Sequence, residues 1–143
     1  MSDASTRMYG VVDTARDPRL YPLVTRCPRY ACLFAGELEA PLKQVAPYLV
    51  EMTKDSPMWL QWRDDGWGQA WGIVIWSSLD LHTLRKHLRQ FLLAHLPDGQ
   101  IVLFRFYDPR VWRDFWPTCS DEQQSQWLAG LSEVVAESET STR

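Results

Sequence analysis

The sequence predicts a single domain of mixed α/β class (an α+β arrangement is the variant), with a central sheet of about five or six strands packed by helices. Three observations predict it. The chain has 143 residues, one domain's length, and a domain of that size buries roughly 68–70% of its unfolded surface without needing staples. Hydrophobic residues make up 45% and charged residues 23%, a globular balance that excludes disorder for the body of the chain. Strand-like apolar runs and stretches with helical spacing roughly alternate, which places helices against a sheet.

The elements follow in order. Met8 to Val12 is an apolar run ending at Asp13, a strand. Asp17-Pro18-Arg19 is a helix start, with a short helix to about Arg26 limited by Pro22. Tyr30 to Ala35 is a second strand stopped by Gly36, and Tyr48 to Met52 a third. Ser56-Pro57 repeats the cap-then-proline signal and opens a helix through Trp62, and Asp64 to Gly68 is a turn. Trp71 to Trp76, rich in Ile, Val and Trp, is a clear strand. Leu81, Leu84, Leu88, Phe91 and Leu92 form one apolar stripe and predict a helix over 79–93, with Ser77 and Asp80 as its capping box. Pro97-Asp98-Gly99 is a turn, and Ile101 to Tyr107 reads as one long strand. Asp108-Pro109-Arg110 caps a helix that Pro117 ends, and Ser120 with Gln123 starts another to about Leu131. Val134 and Val135 predict a last strand. The domain is set at 8–136, and the polar segments 1–7 and 137–143 read as flexible ends.

Composition excludes several classes. No stretch approaches the ~18 apolar residues of a membrane span, so no membrane partner is expected. The start, Met1 to Arg7, has no apolar core of an export signal, which implies a cytoplasmic protein. A net charge of −3 argues against nucleic acid as a partner. Cys27, Cys32 and Cys119 are an odd set, read as reduced thiols. The Cys27–Cys32 spacing, with Pro28 inside it, is wrong for a zinc site. No metal and no cofactor are expected. The usual catalytic motifs are absent, so no nucleophile–base–orienter triad is expected and the chain reads as a non-enzyme.

Three constellations carry the functional reading. His82, Arg85, Lys86 and Arg89 fall on the side of their helix away from the leucine stripe, with His87 on the opposite flank. They read as a solvated face or as a basic strip for an acidic partner. In Ile101–Tyr107, alternation puts Phe104 and Phe106 in the core and Arg105 among apolar neighbours. A buried guanidinium needs a carboxylate or carbonyl partner, and Asp13 and Asp108 are the candidates. Eight tryptophans are too many for a core this small. Trp112 and Trp116, one helical turn apart beside Arg110 and Arg113, are expected to be partly exposed while Val111 and Phe115 face the core. Exposed Trp with Arg is the composition of an interface centre.

The motifs Leu84-Arg-Lys-His-Leu-Arg89 and Leu103-Phe-Arg-Phe-Tyr-Asp-Pro-Arg-Val111 carry a resemblance. With them go Tyr9-Gly-Val-Val-Asp13, Leu33 to Leu38, Ala46 to Leu49, Trp71-Gly72 and Asp98-Gly99. In combination the sequence resembles, from about Met8 to about Ala136, the adaptor-chaperones of bacterial type VI secretion, a family long described only as a domain of unknown function. The resemblance implies a protein without turnover that binds a cognate toxic effector in the cytoplasm of a Gram-negative bacterium. It also implies that the chain helps load the effector onto the VgrG spike. It carries over to Arg85, His87, Arg89, Phe104, Arg105, Phe106, Tyr107, Asp108, Pro109 and Arg110, some of which would only hold the fold. Arg105, Tyr107, Asp108, Pro109 and His87 are assigned to structure, and Trp112, Trp116, Arg110, Arg113, Arg85 and Arg89 to partner binding. Many members carry a further variable C-terminal region, whereas this sequence stops soon after Leu131. Either the shared lobe suffices, or loops and the Trp-rich surface select the effector. The competing reading is a small enzyme with a site around Arg105, Asp108 and His87.

Overall fold

The computed structural model of the chain describes residues 6–138; of the expected loose ends 1–7 and 137–143, residues 1–5 and 139–143 lie outside the described residues. The expected mixed class holds, in its α+β form, because every pairing in the sheet is antiparallel. Strand β1 (Arg7–Asp13) is the centre of the sheet. It pairs with β3 (Pro47–Met52) on one side and β4 (Gly72–Ser77) on the other. The short β2 (Tyr30–Cys32) and β7 (Leu131–Val135) close the two edges, giving the order β2-β3-β1-β4-β7.

Period-two alternation sends the two sets of β1 side chains into different cores. Met8 and Val12 face α1 (Leu20–Thr25), α3 (Pro57–Gln61) and Trp62. Tyr9 and Val11 face α4 (Leu81–Arg89), α5 (Pro109–Phe115) and α6 (Asp121–Trp127). The sheet is thus the middle of three layers. A one-turn helix α2 (Ala40–Lys43) leads into β3. Gly10 explains how the first layer closes: a Cβ there would stand 2.7 Å from the Trp62 ring. The bare backbone lets that fully buried indole lie against the strand.

Two caps are as the sequence implies, while Ser56 stands at the start of α3 without a side-chain cap bond and α1 begins at Leu20, after Arg19 and not at Asp17-Pro18. Asp108 accepts from the Arg110 N–H, and Ser120 and Gln123 form a reciprocal capping box. Others differ. Asp80, not Ser77, caps α4; the Ser77 hydroxyl instead donates to Gly130 O. Pro22 does not limit α1 but sits in its first turn, where no N–H is needed. Residues 62–66 form a π-helical turn.

The largest correction concerns 90–107. Helix α4 ends at Arg89. Strands β5 (Leu93–His95) and β6 (Ile101–Leu103) then form a hairpin separate from the main sheet. Leu93 and Ala94 of β5 are good helix formers, but pairing with β-branched Ile101 and Val102 across the turn outweighs that preference. Gly99, at φ +90°, supplies the left-handed residue of the turn. After Leu103 the chain bends inward, and Phe106 and Tyr107 are both buried, so strand alternation fails there. Arg7 belongs to β1 and Glu137 is buried.

Candidate protein-binding surface

The Phe104–Arg110 motif closes the end of the sheet. Asp13 ends β1 with its side chain 3% exposed, and the Arg105 guanidinium pairs with it. The same carboxylate accepts from the Ala15 N–H at 3.1 Å. Arg105 also lies over the Tyr107 ring, 5.7 Å from its centroid. The expected carboxylate partner is found, but the expected burial of Arg105 is corrected, since its side chain is 46% exposed. The pair thus joins an enclosed carboxylate to a half-exposed arginine side chain. Arg105→Ala strands a buried carboxylate, yet solvent near the arginine weakens the pair. The expected loss therefore falls between exposed and buried pairs, about 2 kcal/mol, read as a lower urea midpoint at unchanged slope.

Asp108 and Arg110 make a second, separate pair at 2.7 and 3.0 Å. Burial pushes the Asp108 carboxyl up, but the Arg110 side chain, the Arg110 N–H and the charge of Arg16 outweigh it, holding the group below the usual carboxylate range. A carboxyl depressed on folding contributes stability that is complete above its unfolded value and lost as pH falls through the folded one. Asp108→Asn keeps the cap but loses the ion pair. The variant should be less stable by about 1 kcal/mol at neutral pH, and the gap should close below about pH 4, measured by thermal melts across pH. Burial also raises the Tyr107 hydroxyl to about 12, against the pull of Arg105.

The basic residues of α4 split. Arg85 donates to Cys32 O at 2.7 Å and Phe34 O at 3.3 Å, and Arg89 to Leu33 O at 2.9 Å. They fasten the helix to the edge beside β2, so the reading of these two as a free basic strip is corrected. His82 and Lys86 remain exposed. His87 Nε2 shares a 2.7 Å hydrogen bond with Trp127 O, and its ring packs on Phe91.

The expected partial exposure of Trp116 holds, and that of Trp112 is corrected. Trp112 is 6% exposed. It stacks on half-buried Trp116 with centroids 4.9 Å apart and meets Trp127 edge-on at 5.2 Å. Val111 and Phe115, expected in the core, are only half-buried. Arg113 donates to Glu137 O at 2.6 Å; Arg110 is exposed.

What the structure does expose lies elsewhere. Of nine large hydrophobic residues exposed among the described residues, Leu93, Leu96, Ile101, Val102 and Leu103 belong to one hairpin. Scattered apolar residues need no explanation, whereas a gathered patch marks an interaction site. The sequence reading makes this segment the end of a helix, a turn and one long strand, and does not single out its apolar surface. The available signal is Ile101-Val-Leu just after the Pro-Asp-Gly turn, with Leu93-Ala-His just before it. Among the described residues no helix is long and apolar enough to cross a membrane.

The family model described as a domain of unknown function (DUF4123) matches residues 8–126. The chain belongs to this family. The DUF4123 match begins within β1 and ends within α6, so it takes in both packed layers, the hairpin and the Phe104–Arg110 junction. No curated protein and no solved structure gives a significant match.

Proposed function

We propose that this DUF4123 protein is a cytoplasmic adaptor-chaperone of bacterial type VI secretion, which binds a cognate toxic effector and assists its loading onto the VgrG spike. The family match and the motif resemblance support the secretion context. The observation that carries the binding role is the apolar β5–β6 hairpin, five exposed hydrophobic residues within eleven positions. That is a surface for a protein, since small-molecule sites are concave. The motif residues Arg105, Asp108 and His87, the centre of the enzyme reading, each hold a structural partner: Asp13, Arg110 and the Trp127 carbonyl. The test is co-expression with each protein encoded beside this chain's gene, followed by affinity purification and light scattering. A stable complex with a toxin, and delivery of that toxin lost when this chain is deleted, is the expected outcome. Delivery that continues without the chain would end the proposal.

A further inference from the structure

We propose that strand β6 receives an extended apolar segment of the effector as a third strand. This rests on the adaptor reading, because the occupant it names is the effector's own chain.

The hydrogen-bond pattern of the hairpin shows which edge is open. Leu96 N bonds Gln100 O, Phe104 N bonds Leu92 O, and Ala94 faces Val102 between them. Antiparallel ladders alternate, so Ile101 and Leu103 turn their N–H and C=O groups away from β5. Among the described residues no strand pairs with that side. Two strands alone are marginal in water, and a third would complete the unit.

Natural edges are blunted by charge or by cover, and this chain does so on its main sheet. At β2, Arg85 takes the Cys32 carbonyl. At β7, Ser132 and Glu133 are exposed on the strand. Strand β6 carries no such device: Ile101, Val102 and Leu103 are 57, 38 and 39% exposed and none is charged. An added strand would meet Ile101 and Leu103 on one face and Val102 on the other. The fitting occupant is an uncharged, extended run rich in β-branched or aliphatic residues.

Two other occupants fit less well. The residues of this sequence outside 6–138, Met-Ser-Asp-Ala-Ser and Glu-Thr-Ser-Thr-Arg, are polar and cannot fill such a site. A second copy would repeat one patch about a twofold axis. Five half-exposed side chains fall well short of the roughly 800 Å² that each partner buries in a stable dimer.

The experiment uses the full chain co-expressed with each protein encoded beside its gene, with amide hydrogen exchange on the free chain and on any complex. The expected result is protection of the Ile101 and Leu103 amides by at least tenfold in the complex. Ile101→Pro removes an outward N–H while leaving the hairpin's own ladder intact. It should weaken capture at least tenfold at an unchanged melting temperature, and Leu42→Glu on α2 should not. A complex in which β6 exchanges as freely as before overturns the inference and leaves the adaptor reading standing, even if the proline variant fails to fold. No complex with any neighbour overturns both. A free chain that is dimeric by light scattering, and monomeric as Ile101→Pro, makes the occupant a second copy and overturns the assignment to the effector.

Discussion

Trp112→Ala should lower stability by about 3–5 kcal/mol, the range for removing a large aromatic from a core. The ring is nearly closed off from water and sits in a continuous aromatic cluster, stacked on Trp116, edge-on to Trp127 and near Phe115. Trp127 in turn stacks on Phe91 at 3.8 Å. Deleting the central ring leaves its neighbours without contacts on one side, and helix α5 is too short to repack alone. Against a total of about 5–15 kcal/mol, the loss is roughly a fifth or more. Trp116→Ala, from a half-buried position, should lose about 1–2 kcal/mol. Trp112→Phe should fall between wild type and alanine. Urea midpoints of the three variants check the order. Effector capture by Trp112→Ala should then fall only as far as its folded fraction falls. A wild-type midpoint for Trp112→Ala would mean that the ring is not a core element.

That result bears on how much could be read beforehand. Signals confined to a few neighbouring residues translated directly. β1 and β4 follow from dense apolar runs, and the Asp108 and Ser120 caps from a side chain that reaches an N–H two or three positions on. What failed depended on partners far away in the chain. In α5 the apolar residues form two stripes, and spacing cannot decide which is enclosed. Trp127, fifteen positions later, makes the choice by covering Trp112. Arg85 and Arg89 occupy a solvent-like stripe of α4, yet their long side chains reach carbonyls more than fifty residues earlier. The hairpin was hidden because Leu93 and Ala94 prefer helix until Ile101–Leu103 pairs with their strand. For the candidate site the consequence is a relocation. The specific motifs lie at a structural junction, and the exposed apolar surface lies in the stretch just before it.

Glu137→Ala should cost about 2–5 kcal/mol, although the residue falls in a polar tail that reads as loose from sequence. Its carboxylate accepts from the Gly68 and Ala70 N–H groups, both at 2.9 Å. Its own carbonyl accepts from Arg113. One residue therefore ties the end of the chain after β7 to the loop before β4 and to helix α5. Removing the carboxylate leaves two enclosed amide donors unpaired, at about 1–3 kcal/mol each. The Ala70 bond is the more deeply buried of the two, and Ala70 itself has φ +59°, a conformation that a non-glycine residue holds only when its surroundings impose it. Losing the acceptor frees that loop to relax, which exposes Trp71 beside it. Glu137→Gln keeps one acceptor oxygen but turns an N–H₂ toward an N–H, so it should recover only part of the loss. Truncation after Ala136 should match alanine or exceed it, because the bond from Arg113 goes as well. At 143 residues, each kcal/mol is worth roughly 3–5 °C. A melting temperature lowered by about 6 °C or more for Glu137→Ala, with exchange at the Gly68 and Ala70 amides accelerated ahead of the sheet, is the expected result. A tail truncation that leaves both amides as slow as in wild type would show that the carboxylate does not hold the loop.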